Sequence, residues 1–477
     1  MALWEFCYLY SEIYASMTLI KSISGIRGTI GGQPGKNLTP LDTIKFASAY
    51  AQLLKSQFDT GQPAVVLGRD ARLSGNMIAH AAKSALTGMG INVIDLGLST
   101  TPSVEMAVKG LKADGGIILT ARHNPAQWNA LKLLNENGEF ISEETGKRLI
   151  ELVENEDFHF AGIQELGKET KHPGGYIDEH IQAILQLDLV NTEAIRRRGF
   201  KVTVDAVNST GGIAIPKLLE ALHVQYECLY CEPNGIFPHN PEPLEKNLHD
   251  IMQAVTAYGA DLGIVTDPDV DRLALIDEKG HMFGEEYTLV AVADYVLKHT
   301  PGPTVSNLSS SRALRDISRQ YKQNYYASAV GEVNVVKKMK ETGSVIGGEG
   351  NGGVIYPALH YGRDALVGIA LVLSHLAEEN IKLSELKQRF PAYYMAKEKI
   401  LLKPEDNPNL ILQKFKEKYQ NYPVNTEDGV KIDFNDSWIH LRQSNTEPII
   451  RIYTEAQSPR KASELAAKTI EELKKMR

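Results

Sequence analysis

Asp267, Asp269 and Asp271, in the stretch GIVTDPDVDRLALID, are the side chains of this sequence whose type and spacing most directly specify chemistry. In a tight loop after a strand, three alternating carboxylates converge on one point. Left alone they would repel strongly, so the pattern calls for a hard divalent cation such as Mg²⁺. The spacing through Glu278 nearly spells an EF-hand calcium loop. Arg272, however, stands where that loop needs Gly, Pro268 interrupts it, and the flanks read as strands, not helices. Arg272, beside the carboxylates, is placed to neutralise a phosphate brought to the metal.

Three other segments carry polar groups just after β-rich runs. In LTARHNPAQWNALK (119–132), Pro125 pushes Asn124 out of helical geometry and forces a turn, so His123 and Lys132 lie where they could move protons or hold phosphate. Between Ala121 and His123, where a hydroxyl nucleophile would serve phosphoryl transfer, the residue is Arg122. SVIGGEGNGGVIYP has glycines that permit close backbone approach to a ligand, with Glu349 to accept hydrogen bonds from sugar hydroxyls. LRQSNTEPIIRIY sets the hydroxyl, amide and backbone donors of Ser444, Asn445 and Thr446 between Arg442 and Arg451, a donor set suited to a phosphate dianion. SGIRGTIGG and LGRDARLSG add Arg27, Arg69 and Arg72 as further cationic side chains among glycines.

The elements that must position these loops follow from periodicity. Short β-rich runs (AVVLGRD, NVIDLGL, GGIILTA) alternate with helical patterns. One of these starts at Thr39, with Pro40 in the first helical position and Asp42 three residues after the cap. The rhythm returns from about 200 to 275 and again from about 280 to 390, which predicts layered α/β domains with mostly parallel sheets. After FPAYYMAKEKI the pattern changes to strands followed by a helix opened by Ser458 and Pro459, an α+β module. The expected division is an N-terminal extension 1–16 and four domains, 17–172, 173–276, 277–391 and 392–477.

At 477 residues, 43% hydrophobic and 23% charged, the composition is that of an ordinary multidomain globular protein. A net charge of −8 supplies no general basic field for nucleic acid or an anionic membrane, so anions must be held by local Arg and Lys clusters. Cys7, Cys228 and Cys231 are too few for a disulfide framework and fit a reducing compartment. In the strand-like run VQYECLYCE the three-residue offset directs Cys228 and Cys231 to opposite faces, against a redox or zinc role. Residues 1–16 lack a basic start and carry Glu5 and Glu12, which disfavours a signal peptide. No other segment reaches a membrane-spanning length of apolar residues, so the expected location is the cytoplasm.

Taken in order, SGIRG, GRDARLSG, TARHNP with Asn129 and Lys132, DPDVDR, GGEGNGG and RQSNTEPIIR resemble the α-D-phosphohexomutase superfamily from about residue 20 to the C-terminus. Within it the chain is most similar to bacterial phosphoglucosamine mutases, with phosphoglucomutase/phosphomannomutase close behind. The resemblance implies three α/β domains with mixed sheets and a smaller C-terminal domain around a central cleft, each contributing one loop. It implies interconversion of hexose 6-phosphate and hexose 1-phosphate through a hexose 1,6-bisphosphate, with a phosphoserine as carrier. Glucosamine phosphate is the first expectation; glucose or mannose phosphates, or a catalytically impaired phosphosugar-binding protein, are the alternatives.

By that likeness Asp267, Asp269 and Asp271 would hold Mg²⁺, and Arg27 and Arg272 would lie near the transferred phosphoryl. His123 and Lys132 would assist proton transfer, and Glu349 and Asn351 would grip sugar hydroxyls. Arg442, Ser444, Asn445, Thr446 and Arg451 would anchor the other phosphate. The expected partner is a small phosphosugar, with neither nucleic acid nor membrane, and the chain is expected to be a monomer or homodimer. Pro268, Val270 and Ala130 replace residues that the family usually has as glycine. Arg122 falls on the phosphoserine itself; as an obligate cation and a poor nucleophile it cannot carry a phosphoryl group, and it is expected to pair with the aspartates.

Overall fold

The computed structural model describes residues 17–22, 25–57, 61–444 and 447–477. These divide into two compact units: one runs to Met282 and includes Leu359–Asn380, the other comprises Phe283–Ala358 and Ile381–Arg477. The extension 1–16 proposed from the sequence lies outside the described residues, as do Asn445 and Thr446.

The first unit holds two sheets. The larger has seven strands in the spatial order Ile20–Ser22, Gly25–Thr29, Trp128–Leu134, Gly115–Leu119, Ala64–Arg69, Asn92–Leu98, Glu169–Lys171. Its last four strands run parallel, and the others are antiparallel to their neighbours. The predicted helix after Thr39 is Pro40–Gln57, with Thr39 and Asp42 exchanging the expected capping hydrogen bonds. This helix, Gly75–Gly88 and Glu143–Asn155 bury Phe46, Leu53, Leu86 and Leu149 against Val65, Leu67, Ile117 and Leu131 of the sheet. On the opposite face helix Thr101–Gly110 comes close enough that a Cβ on Gly68 would stand 2.4 Å from Val104, so only glycine fits there.

The second sheet has the order Leu273–Asp277, Leu262–Thr266, Lys201–Asp205, Gln225–Leu229, with the first pair antiparallel and the rest parallel. Helix Ala365–Glu379 packs in this unit against helices Ile177–Leu185, Thr192–Arg198 and Gly211–Ala221. Twelve of its fifteen residues are buried, as expected of a helix that is apolar on every side.

The second unit repeats the theme with a four-stranded sheet, Tyr325–Ser328, Thr304–Asn307, Ile346–Glu349, Gly353–Ile355, again closed by an antiparallel strand. Its other sheet is antiparallel throughout, in the order Tyr394–Leu401, Ile449–Ala456, Trp438–Gln443, Val430–Asp433, Val424–Asn425. The terminal helix Pro459–Met476 opens at Ser458, whose hydroxyl accepts from the Lys461 amide, and it helps cover this sheet through Leu473. The fold is therefore three α/β modules with mixed sheets and a smaller α+β module. Among the described residues no helix is long and apolar enough to cross a membrane.

Candidate metal and phosphate site

In all three mixed sheets a strand ends, a loop follows, and the chain returns antiparallel beside it. The loops are 120–127, 267–272 and 350–352, so three of the segments singled out for their chemistry occupy one topological position.

Loop 267–272 is clamped by its neighbours. The Pro268 carbonyl accepts from the hydroxyls of Ser209 and Thr210 at 2.6 and 2.9 Å, and the Asp269 carbonyl accepts from the Thr101 amide at 2.8 Å. Next in the chain, the fully buried Val270 sits at φ +64°, a left-handed conformation that costs a β-branched residue about 1–3 kcal/mol.

All three aspartates are fully buried, and one carboxylate oxygen of each lies within 4.8 Å of the others. Each uses one oxygen on a donor from the chain. Asp267 Oδ1 accepts from the Arg272 amide at 3.1 Å; Asp269 Oδ2 accepts from Lys132 Nζ at 2.8 Å and Thr101 Oγ1 at 2.7 Å. Asp271 Oδ2 meets Arg122 Nε at 2.9 Å and is also gripped by Arg363. The remaining oxygens, Asp267 Oδ2, Asp269 Oδ1 and Asp271 Oδ1, are buried without a hydrogen-bond partner among the described residues. A buried acceptor left unmatched costs about 1–3 kcal/mol, more for a charged group, and three anionic oxygens together are the donor set of a hard divalent cation.

The surrounding charges act unequally. Burial, reinforced by Asp271 and Asp269, raises the Asp267 carboxyl well above its ordinary value. Burial works the same way on Asp271, but the guanidiniums of Arg122 and Arg363 outweigh it and hold that carboxyl far below the usual range. Burial and the neighbouring Arg122 lower Lys132 against the opposing pull of Asp269. Desolvation, with Arg272 and Arg122 nearby, drives His123 well below its usual value, so its imidazole is neutral at pH 7 and able to take a proton.

Loop 120–127 owes its shape to Arg72. This buried guanidinium donates to the carbonyls of Arg122, Asn124, Pro125 and Trp128 while its Nε pairs with the equally buried Asp70 at 3.1 Å. Arg72, expected only as a further cationic side chain on this face, is thus an internal clamp. Arg122 stands at φ +53°, its amide donating to Thr120 Oγ1. Neither hydroxyl that could replace a serine carrier is idle: Thr120 Oγ1 donates to Asp70 at 2.7 Å, and Thr29 Oγ1 contacts Thr18 Oγ1 at 2.6 Å. Arg27 faces Ala130 across the adjoining strands, which puts it on the same sheet face as Lys132, two residues on. Arg272 Nη1 and His123 Nε2 both approach Glu242, at 3.9 and 4.0 Å.

In the second unit Glu349 ends its strand, with Oε1 accepting from Asn307 at 2.9 Å and the Gly331 amide at 3.2 Å. Asn351 caps the short loop by accepting from the Gly353 amide at 3.3 Å. Arg442 and Arg451 are direct cross-strand partners, a like-charge pair that disfavours the sheet unless anions lie nearby. Asp428 holds Arg442 at 2.7 Å, and Ser444 follows in the turn.

Two features escaped the sequence reading. Arg363 was missed, although the tetrapeptide Gly-Arg-Asp-Ala at 68–71 recurs at 362–365 and marks a second Arg-Asp turn. The expectation that Cys228 and Cys231 alternate along one strand is corrected: the strand ends at Leu229, Tyr230 takes φ +56°, and Cys231 Sγ turns to the carbonyls of Leu229 and Val204, at 3.6 and 3.8 Å.

Four family profiles match the chain in order: Phosphoglucomutase/phosphomannomutase, alpha/beta/alpha domain I over residues 19–160, domain II over 178–280, domain III over 284–394, and the C-terminal domain over 380–472. A Phosphoglucomutase/phosphomannomutase of Thermococcus kodakarensis is 38% identical over 454 residues, 93% of this chain and 98% of that one. A Probable phosphoglucosamine mutase of Methanopyrus kandleri is 32% identical, covering 93% and 95%. Among solved structures, a phosphoglucomutase/phosphomannomutase family protein from Burkholderia thailandensis superposes with a TM-score of 0.82 at 25% identity, covering 96% of this chain and 98% of that one.

Proposed function

Because the chain belongs to the phosphoglucomutase/phosphomannomutase family of phosphosugar mutases, we propose that its site takes Mg²⁺ and a hexose monophosphate and interconverts the 6- and 1-phosphates through a hexose 1,6-bisphosphate. Glucosamine phosphate is the preferred sugar in this reading, and the chain works as a cytoplasmic monomer or homodimer. The observation that carries it is the aspartate triad, in which every buried carboxylate keeps one oxygen without a hydrogen-bond partner among the described residues.

Asp267, Asp269 and Asp271 are the residues that would hold the cation, which supplies Lewis-acid polarisation of a phosphoryl oxygen when bound. Arg27 and Arg272 counter the charge of the transferred phosphoryl. The neutral imidazole of His123 accepts a proton, and the Lys132 ammonium, made more acidic by burial, gives one up. Glu349 and Asn351 hold sugar hydroxyls, while Arg442, Ser444, Asn445, Thr446 and Arg451 hold the phosphate that does not react.

Arg122 is the exception. A guanidinium does not carry a phosphoryl group, and its contact with Asp271 places positive charge where a cation is wanted. Turnover of the chain as written is therefore low, and Arg122→Ser raises it by about 10⁴-fold, the scale of losing a covalent nucleophile. A coupled assay on glucosamine, glucose and mannose 6-phosphates, with a sugar bisphosphate added, measures this for both proteins. Ordinary turnover by the unmodified chain defeats the reading of Arg122, and a Ser variant as inactive as its parent favours a phosphosugar-binding protein without catalysis. Calorimetry gives a parallel check, with Mg²⁺ affinity rising about tenfold or more in Arg122→Ser as one cation leaves the triad. Likeness to the archaeal phosphoglucomutase/phosphomannomutase favours glucose and mannose phosphates as the second reading of the substrate.

A further inference from the structure

We propose that His180, His360 and Asp364 form a second metal site, for a transition-metal dication such as Zn²⁺, distinct from the aspartate triad. Three elements of the first unit meet there: helix Ile177–Leu185 brings His180, helix Thr101–Gly110 brings Ser103 and Glu105, and the segment before helix Ala365–Glu379 brings His360 and Asp364. The His180 and Asp364 side chains are fully buried, and that of His360 is 12% exposed, which leaves an approach from solvent.

The ligand atoms already converge. His180 Nε2 lies 2.8 Å and His360 Nε2 lies 3.3 Å from Asp364 Oδ2, and one donor atom from each residue falls within 4.8 Å of the others. Bonds of about 2.0–2.1 Å to a tetrahedral ion separate its ligands by roughly 3.3 Å, so small adjustments seat the ion. The two imidazoles are nearly perpendicular, at 88° with centroids 6.1 Å apart, and their Nε2 edges share one carboxylate oxygen.

The far side of each ligand is also prepared. When Nε2 is given to a metal, the ring proton sits on Nδ1 and needs an acceptor. His180 Nδ1 is 3.0 Å from Ser103 Oγ, and His360 Nδ1 is 3.5 Å from Glu105 Oε2. Gly362 makes room for that carboxylate, since a Cβ there would stand 1.8 Å from Glu105 Oε2. Asp364 divides its oxygens: Oδ1 accepts from the Leu366 and Val367 amides at the helix start, and Oδ2 faces the histidines. Imidazoles ligate metals in the neutral form, so a dication there would face the carboxylates of Asp364 and Glu105. Two nitrogen donors select Zn²⁺, Co²⁺ or Ni²⁺ over Mg²⁺. The ion would pin the segment carrying Arg363, the neighbour of Asp364 and a partner of Asp271.

The test is a Co²⁺ titration of the chelator-treated full-length protein in excess Mg²⁺, followed by visible d–d absorption. Expected are saturation at about one Co²⁺ per chain, retention of the signal in Asp267→Asn, and a loss of affinity of at least about 100-fold in His360→Gln with its circular dichroism unchanged. An absorption that fails to develop, survives His360→Gln or disappears in Asp267→Asn overturns the proposal. A readout that needs no variant is the zinc content of the unmodified protein after equilibration with Zn²⁺ and Mg²⁺ and removal of free metal: about one Zn²⁺ per chain supports the site and none refutes it.

Discussion

Arg72 and Arg122 meet in one loop, the first donating to the Arg122 carbonyl from inside the protein and the second reaching out to Asp271. The loop 120–127 has two turn hydrogen bonds of its own, and its shape rests further on the carbonyls, with that of Trp128, that converge on the Arg72 guanidinium. Arg72→Met should strip those carbonyls of their donor and leave Asp70 buried as an unpaired charge, costing about 3–5 kcal/mol in denaturant unfolding. Adding Asp70→Asn should recover part of the loss, because the two changes act on one ion pair; strict additivity would contradict this account. Residue types and order alone picked out Asp267, Asp269 and Asp271, because alternating acids after a strand have few other uses, whereas Lys132, which lies inside strand Trp128–Leu134, took its role from the likeness of its motif to the family. The role of Arg72 was not legible, because the same GRDAR string suits an exposed phosphate ligand or a buried clamp, and only burial distinguishes them.

Glu286 shows how an element can carry a pH response. In the first turn of helix Glu285–His299, its Oε2 accepts from the Ser311 amide at 2.8 Å and lies against Gly350 of the third module's loop. Burial, against the partial relief offered by Lys397, pushes its carboxyl up from 4.5 to about 8. A carboxyl whose pKa is higher in the folded than in the unfolded state stabilises the fold fully below about pH 4.5 and loses that contribution as pH rises through about 8. Glu286→Gln cannot ionise, so its stability relative to the parent should grow between about pH 5 and pH 8.5 by roughly 4 kcal/mol. Urea melts of both proteins at the two ends of that range decide it, and a constant difference means the carboxyl is already ionised in the fold. Helices and strands were the readable part at this scale, as Pro40–Gln57 and the strand endings at Leu119 and Thr266 illustrate. The turn at Tyr230 was not, since no glycine marks its left-handed backbone and the strand pattern runs through it.

The first unit is discontinuous: it needs Leu359–Asn380, which arrive only after the chain has entered the second unit. That return supplies Arg363, Asp364 and helix Ala365–Glu379, whose buried Leu, Ile and Val side chains contribute about 1.5–3 kcal/mol each. A fragment of residues 17–282 exposes the surface those side chains cover and should show no cooperative thermal transition, or one far below that of the intact chain. A fragment melting as sharply and as high as the whole protein would mean that the returning helix is dispensable. The sequence by itself determined the module types, the order of the loops and the convergence of the three aspartates, because periodicity, turn residues and charge spacing are local properties. Tertiary structure alone decided that Arg363 shares Asp271 with Arg122, that Arg72 is a clamp, and that His180 meets His360 and Asp364 across about 180 residues of chain. Those pairings depend on which buried charges the packing brings together, and no local pattern encodes that distance.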